Sequence, residues 1–512
     1  MKFHKSALIK SIGALTALLG SFGLVFGLAA FDHTDLFIDF NHPKATISYY
    51  DETPQNTQWN VPTDPTPFFT PGDSISFASQ TDKQAKFNYA ALVIDGATHQ
   101  VLDKSFNQSG YQGLVDWIWT DDWYNRPDHV DAHEPISSYN PNKPGTANGS
   151  KPSTDNANDF WIAYGNLIES GYKSLVLPGY MHQTGLANFK GKSKDIYQKA
   201  GYILLDANTP DDKNIASVVF RSDEVAFMSA IATCQYLNDN FDEYKSGGLR
   251  IGMFGGVAIP SVTIYMGGFE YGVQVWNNYI NEIAAANHWT NPEQHKVNII
   301  NLGAKDSWFS NSFSIGDGAP LVKALLQRGA DAILPVAGPQ TIDTVRQIKA
   351  ASADCIVVGV DTAQEDDQTI NDISTYTDVS GNNKIIKFSA TKNIAYITSK
   401  ILSLAMAHWP NDLNQSPNLD QVSSDSMPKI GSFGYLTVCD VQNDGIRPSD
   451  AALPYLLSFI RDVTNKLPVP GEDTYSFICH QFTAFSPSGS STSINYFDKD
   501  HISSKDLMQL RI

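Results

Sequence analysis

The sequence predicts an α/β protein with two doubly wound, parallel sheets, and three features lead to this fold class. Short apolar runs alternate with segments of helix length, such as 223–237, 261–286 and 319–328. Each run is apolar throughout, which is typical of parallel strands with helices on both faces. The runs are too many for one small sheet, so we expect two. They lie at 91–94, 174–177, 202–205, 216–219, 250–254, 297–300, 332–335 and 356–358.

The first thirty residues indicate export. Lys2, Lys5 and Lys10 precede an uncharged run, 11–30, that is rich in Leu, Ala, Gly and Phe. A run of about twenty residues is either a cleavable signal peptide or a membrane anchor, and a buried core helix is the less favoured alternative. None of the cysteines directly follows the run, so a lipid anchor is not expected. We therefore expect an extracytoplasmic protein, secreted or anchored to the cell membrane.

Two polar segments flank or interrupt the regular pattern. Residues 31–86 are rich in Pro, Thr, Asp, Asn and Gln, which predicts a spacer or a loosely structured arm. Residues 121–158 include the turn-forming stretch 140–145 and predict a long surface insertion.

Composition narrows the function classes. A chain of 512 residues with 42% hydrophobic and 18% charged residues is expected to fold into two or three domain-sized units. The formal net charge of −18 offers no basic face to nucleic acid, so no such partner is expected. His129 and His133 could hold a metal in a helix, but Pro127 and Pro135 favour a loop. The sequence has no catalytic motif that we would assign, and neither an enzyme nor a cofactor or metal is expected.

Four cysteines occur in this exported chain. They are widely spaced, and most lie in apolar surroundings, so we expect buried thiols rather than two disulfides. They are Cys234, Cys355, Cys439 and Cys479.

Ligands of doubly wound sheets bind where the strands end, and the residues there carry a family resemblance. Asp95-Gly96 follows the first run, and residues 103–114 read DKSFNQSGYQGL. This is similar to the D-x-G-x-x-x-D-x-S-F-N-Q pattern of the basic membrane protein family, which includes lipoproteins of the purine nucleoside receptor A type. The resemblance covers about 92–463. Further matches follow in the expected order at 214–220, 227–230, 255–256, 265–272, 336–338, 359–361 and 389–393.

The resemblance implies a type I periplasmic-binding-protein fold, in which two Rossmann-like lobes joined by a hinge close on a small ligand. The first lobe is expected at 87–220 plus 383–408, and the second at 221–362 plus 409–512. It also implies a monomeric solute receptor of an ABC importer, with the importer's membrane subunits as partners and a purine nucleoside as ligand.

The resemblance further implies how such a ligand is bound. Phe106 and Tyr265 match the positions of two rings that stack on the purine from opposite lobes, and a base sandwiched between them requires ring centroids roughly 7 Å apart after lobe closure. Asp361 and Lys392 match the residues that bind the ribose hydroxyls. The remaining matches are Asn107, which is expected to address the base edge, Gly338, which permits close approach, and Asp95.

One stretch departs from the family. Where the family carries a carboxylate that addresses the base, this chain reads GYMHQT at 179–184. Tyr180 and His182 are included among the expected ligand-binding residues, and His182 or Gln183 could replace the lost contact. A neutral loop histidine with no ligand role is the alternative.

Two other functions are left open by the sequence. One is a surface nucleosidase or other hydrolase, which would release free base rather than return the nucleoside intact. The other is an adhesin that reuses the fold, which is favoured only if Phe106, Tyr265, Asp361 and Lys392 do not converge.

Overall fold

The computed structural model describes six stretches of the chain, all in one compact unit, 36–512. They are 89–119, 147–244, 248–366, 385–407, 436–439 and 445–482, with short gaps at 96–100, 102, 104, 148, 151, 153–156, 208, 210–211, 213 and 304. The export segment, the arm 31–86 and most of the insertion 121–158 lie outside the described residues. So does the other compact unit, 1–35.

The described stretches contain twelve strands in two sheets of six. The strands are β1 (Ala90–Val93), β2 (Gly149–Ser150), β3 (Ser174–Pro178), β4 (Gly201–Leu205), β5 (Ile215–Phe220), β6 (Leu249–Gly255), β7 (Val297–Ile299), β8 (Ala332–Val336), β9 (Ile356–Asp361), β10 (Ile386–Lys392), β11 (Leu436–Cys439) and β12 (Ile446–Pro448). The first sheet has the order β11-β5-β4-β3-β1-β2 and the second the order β12-β10-β9-β8-β6-β7. Only the β10–β12 pair is antiparallel among these pairings. The predicted α/β fold class is confirmed.

Strand β1 shows why the strands are apolar at every residue. Ala90 and Leu92 face the large core of the protein, while Ala91 and Val93 face a smaller core around Phe160 and other aromatic rings. All four strand residues are buried because both faces of the sheet are covered. A strand in this position must be apolar at every residue.

Thirteen α-helices in the described residues cover the sheets. They are α1 (Phe106–Trp119), α2 (Ala157–Glu169), α3 (Met181–Lys192), α4 (Lys194–Tyr197), α5 (Ser222–Asp239), α6 (Phe241–Tyr244), α7 (Pro260–Asn278), α8 (Ile280–Ala286), α9 (Ala319–Gln327), α10 (Thr341–Ala351), α11 (Ile394–Ala407), α12 (Leu453–Thr464) and α13 (Thr474–Phe482). None of them combines the length and apolarity that a membrane crossing requires.

Glycines at 268 and 272 have a packing role in α7. A Cβ added at Gly268 would lie 2.3 Å from the Asp223 carbonyl oxygen, and one at Gly272 would lie 2.5 Å from that of Phe227. The backbones of α5 and α7 therefore touch, and only glycine permits this approach. This part of the family motif is explained by packing rather than by ligand contact.

Within the described residues, the chain passes between the two sheets near three points: between β5 and α5, between β10 and α11, and between β11 and β12. Neighbouring crossings are joined by hydrogen bonds. The Arg221 N–H donates to the Cys439 carbonyl at 2.7 Å, and the Asn393 N–H donates to that of Gly445 at 2.9 Å. This bundle of crossings is where a hinge would lie.

Three predicted boundaries differ from the structure. Strand β10, expected with the first lobe, pairs in the second sheet, and only α11 returns to pack on α1. Strand β11, expected with the second lobe, is an edge strand of the first sheet. Residues 149–150, expected within the surface insertion, form β2, an edge strand parallel to β1. An apolar run predicts a strand, but its sheet is decided by distant pairing. The division into two lobes therefore remains our proposal.

The cysteines lie largely as expected from their surroundings. Cys234, Cys355 and Cys439 are buried and Cys479 is partly buried. Burial raises the pKa of the Cys234 and Cys355 thiols well above the usual value.

Candidate ligand-binding site

A pocket of about 580 Å³, its solvent-open part included, lies between the two sheets. The side of the first sheet is formed by Asp95, Asp103, Ser105, Phe106, Gly179, Tyr180 and Asp206, and the side of the second sheet by Ile259, Ser261, Val262, Tyr265, Phe313, Val336, Ala337, Gly338, Pro339, Asp361 and Lys392. Many of these residues directly follow or end a strand, as expected for the carboxyl edge of parallel sheets.

A buried ionic cluster forms the floor of the pocket. The Lys392 Nζ lies 3.1 Å from Asp206 Oδ2 and 3.4 Å from Asp361 Oδ1, and the three side chains are 2%, 8% and 7% exposed. The Ser105 hydroxyl donates to Asp361 Oδ2 at 3.1 Å. Asp206 follows β4 of the first sheet, whereas Asp361 and Lys392 end strands of the second sheet, so the cluster connects elements of both sheets.

Burial shapes the protonation of this cluster. Burial raises the pKa of Asp206 to about 6, although Lys392 acts to lower it. Burial alone would lower the pKa of Lys392, but Asp206 and Asp361 outweigh it and raise that pKa above the usual lysine value. The lysine is therefore charged at neutral pH, and Asp206 gains a proton under mildly acidic conditions.

The two carboxylates around Lys392 sit on unusual backbone. Asp206 has φ 63° and Asp361 has φ 66°, both in the left-handed region. Aspartate adopts this region more readily than most residues other than glycine. In both conformations the carboxylate contacts the same ammonium group, at 3.1 Å and 3.4 Å.

The two rings expected to stack on a base both line the pocket. Phe106 begins α1, and Tyr265 lies in α7. The Lys392 Nζ lies 4.7 Å from the Phe106 ring centroid and 5.4 Å from that of Tyr265, so one cation contacts both rings. The Tyr265 hydroxyl donates to the Ala390 carbonyl, which supplies the partner that a buried tyrosine needs. That both rings stack on a ligand remains a prediction.

Asp103 holds the start of α1. Its carboxylate accepts the backbone N–H groups of Ser105, Asn107 and Gln108 at 2.9 to 3.1 Å. Burial raises its pKa to about 6, and these three donors act against the shift. Asp103 therefore fixes Phe106 at the pocket wall by capping the helix.

Asn107 is not among the residues that line the pocket, and its contact with a base stays a prediction. Its side chain is fully buried, with Oδ1 accepting the Asp95 N–H at 2.9 Å and Nδ2 near Asp95 Oδ1 at 3.4 Å. Asn107 positions Asp95, and it is Asp95 that faces the pocket.

His182 also lies away from the pocket, in the first turn of α3, and its ligand contact stays a prediction. Its ring is fully buried against Phe160 at 4.9 Å, and Nδ1 lies 2.7 Å from the Tyr164 hydroxyl. Burial lowers its pKa to about 3, although the Pro178 and Val93 carbonyls act to raise it. Because α3 begins at Met181, the helix turns residue 182 into the smaller core, and Tyr180 is the residue that faces the pocket.

Sequence reasoning placed Asp95, Phe106, Tyr180, Tyr265, Gly338, Asp361 and Lys392 at the pocket, and all seven line it. It missed Asp206 and Phe313. Asp206 directly follows an apolar run and could have been found from that position. Phe313 lies in a loop between β7 and α9 and carries no such signal.

Two parallel-stranded sheets with a polar, ring-lined pocket between their strand ends define the class of periplasmic-binding-protein folds. Residues 87–298 match the model of the Bmp family, which is described as ABC transporter substrate-binding protein PnrA-like. The predicted resemblance is confirmed. The family is one of substrate-binding proteins and not of enzymes.

Two curated proteins are similar to this chain in sequence. A lipoprotein of Mycoplasma pneumoniae, the uncharacterized MG040 homolog, is 26% identical over 433 residues, covering 72% of this chain and 62% of the relative. BmpA of Lactococcus lactis subsp. cremoris, an ABC transporter nucleoside-binding protein, is 24% identical over 294 residues, covering 56% of this chain and 68% of that protein. The chain thus spans less than two thirds of the Mycoplasma relative.

A solved structure of similar architecture is a solute-binding protein of an ABC transporter system from Aeropyrum pernix K1. It is 18% identical, with a TM-score of 0.46 over 77% of this chain and 85% of that one.

Proposed function

We propose that this protein is an extracytoplasmic receptor that binds a purine nucleoside between its two lobes, as a monomer, and delivers it to an ABC importer. The observation that carries the proposal is the Asp206–Lys392–Asp361 cluster at the floor of a ring-lined pocket. Ribose hydroxyls both donate and accept, so a buried carboxylate and ammonium side by side satisfy them. The relative named as a nucleoside-binding protein supports this ligand class.

The pocket offers ring surface for the base. Phe106, Tyr180, Tyr265 and Phe313 all contribute to its lining. A purine has two π faces, and each stacked face contributes roughly 1–3 kcal/mol. Such rings favour a flat, aromatic ligand portion over a purely sugar-like ligand.

The charge of the pocket predicts a neutral ligand. The described residues that line it include four carboxylates, Asp95, Asp103, Asp206 and Asp361, and one ammonium group, that of Lys392. The pocket lining therefore carries more negative than positive charge. A phosphate group would be repelled by these carboxylates, because charges interact strongly where water is excluded. Adenosine is therefore expected to bind at least about a hundredfold more tightly than adenosine monophosphate, equivalent to about 3 kcal/mol. Calorimetric titration with both compounds measures this, and equal affinities would contradict it.

Nucleoside affinity should fall in mild acid. The pKa of Asp206 is about 6, so at pH 5 about nine tenths of this carboxylate carries a proton and no longer accepts from a hydroxyl as an anion. Adenosine affinity is expected to drop roughly tenfold between pH 7.5 and pH 5. Asp206→Asn removes the titrating group and should flatten the profile. If the Asp206→Asn variant still loses adenosine affinity in acid as the unmodified protein does, another group causes the pH dependence.

The location of the protein is part of the proposal. Segment 11–30 would take the chain across or into the membrane, and 31–86 would hold the binding domain away from its outer face. Mild proteolysis of intact cells tests this. The folded domain should be cleaved while cytosolic proteins are protected, and full protection of both would contradict an external location.

The test of the function itself is native mass spectrometry of the purified protein, followed by titration with adenosine, guanosine and the two free bases. A receptor binds one nucleoside per chain and returns it intact, whereas a nucleosidase would release free base. Failure to bind any of the four compounds would refute the purine assignment. The condition set for the adhesin is not met, because Phe106, Tyr265, Asp361 and Lys392 share one pocket.

A further inference from the structure

Two aromatic rings from different lobes meet at the solvent side of the pocket. Tyr180 follows β3 of the first sheet, and Phe313 lies in the loop between β7 and α9, on the side of the second sheet. Their ring centroids are 6.0 Å apart with planes tilted by 52°, a favourable aromatic geometry. Both rings are partly exposed, whereas Asp361 and Lys392 at the floor are each 5% exposed.

The loop that carries Phe313 is fixed to the second lobe. Its residues 311–317 are exposed apart from Ser312 and Phe313, which are partly buried. The Gln340 side-chain amide donates to the carbonyls of Ser312 at 2.9 Å and Ser314 at 3.1 Å, on either side of Phe313. Asp343 accepts the Gly316 N–H at 2.7 Å. The ring is therefore held in place by the same turn that forms the second-lobe pocket wall.

Tyr180 is fixed to the first lobe in a similar way. The preceding Gly179 has φ 105°, a conformation that favours glycine, and its N–H donates to the Leu205 carbonyl at 3.0 Å. A Cβ at Gly179 would lie 2.7 Å from Asp95 Oδ2, so the backbone is packed against the pocket wall. Helix α3 begins at the next residue, Met181, and limits movement of Tyr180 further.

We propose that Tyr180 and Phe313 form an aromatic latch that closes the pocket on its solvent side and slows release of the bound ligand. Because each ring is fixed to its own lobe, the cleft cannot open without separating them. The contact therefore stabilises the closed arrangement over the open one. This inference deepens the receptor function proposed above and rests on it.

The first test measures ligand release by the full chain. Stopped-flow displacement of a fluorescent etheno-adenosine probe by excess adenosine gives the dissociation rate. Phe313→Ala and Tyr180→Ala are each expected to speed release about two- to tenfold, and the double variant no more than either alone, since one contact is lost in all three. Ile315→Ala changes an exposed residue of the same loop, 50% exposed, and serves as the matched control.

The second test needs no ligand. Spin labels at Gln198→Cys in the first lobe and Lys323→Cys in the second, both exposed positions, report the distance between lobes in a Cys479→Ser background. Phe313→Ala is expected to shift the distance distribution from that of the unmodified protein toward more open arrangements. Gly256→Ala should do the same with both rings retained, because its methyl group would lie 2.5 Å from the Phe313 ring.

The outcomes separate the latch from the ligand assignment. The latch is supported by a shifted distance distribution, or by faster release in which the double variant equals the single variants, beyond the Ile315→Ala control. Faster release that is additive in the double variant, with an unchanged distance distribution, would reflect lost contacts to the ligand and refute the latch. If neither quantity changes beyond that control, the latch is refuted. If the unmodified protein does not bind the probe or adenosine, the nucleoside proposal fails, and the distance measurement alone decides the latch.

Discussion

Replacing Asp361 with alanine is expected to weaken nucleoside binding roughly tenfold to more than a hundredfold while free-base binding stays nearly unchanged. The reason is that a carboxylate which accepts ribose hydroxyls has no partner in a ligand without a sugar. A charge-assisted hydrogen bond contributes about 1.5–3 kcal/mol, and one or two would be lost. Titration calorimetry with adenosine, guanosine and their bases measures the difference.

Two further variants make this result interpretable. Asp361 has φ 66°, which alanine tolerates poorly, whereas asparagine often adopts it, so Asp361→Asn separates loss of charge from backbone strain. Asp354→Ala removes an exposed carboxylate shortly before the same strand and should change neither affinity. Equal losses for nucleoside and base in both Asp361 variants would show that this carboxylate does not address the sugar.

Replacing Lys392 with methionine should lower the free energy of unfolding by about 3–5 kcal/mol at pH 7, because it leaves buried carboxylates without their cation. Asp206 and Asp361 lie within 3.4 Å of the lost ammonium group, and all three side chains are almost fully buried. Urea unfolding of the variant and the unmodified protein measures the loss. Lys190→Met provides the control, since Lys190 is 51% exposed and pairs with Asp212 at 2.8 Å, and a surface pair contributes about 1 kcal/mol at most.

The loss in free energy of unfolding caused by Lys392→Met should grow as the pH rises. Burial already raises the pKa of Asp206 to about 6 in the folded protein, above its value in the unfolded chain, and loss of Lys392 raises it further. A group of this kind favours the folded state below its unfolded pKa, and that contribution is lost as pH rises through the folded pKa. The deficit is therefore expected to be largest at pH 7 and above and to shrink toward pH 5. A deficit no larger than that of Lys190→Met at pH 7 would mean that the cluster is not held together by its charges.

The sequence alone determined the fold class and most of the pocket. Continuous apolar runs predicted β1 because both faces of that strand are covered, and parallel strands bring their carboxyl ends to one edge. Asp95 and Asp361 could therefore be assigned to the site from their position after or at the end of a run. Phe106, Tyr265 and Lys392 required the family resemblance, since each of them alone has an ordinary structural explanation.

Tertiary structure decided the rest, for reasons that no local pattern carries. His182 and Tyr180 are two residues apart, yet the start of α3 turns the histidine into the core and leaves the tyrosine at the pocket. Strands β10 and β11 are not among the predicted apolar runs, and only pairing with distant strands assigns them to different sheets. Phe313 meets Tyr180 through contacts between residues more than a hundred positions apart in the chain. Local sequence determines which residues form a strand or follow it, whereas the partners across a cleft are determined by how the two sheets are brought together.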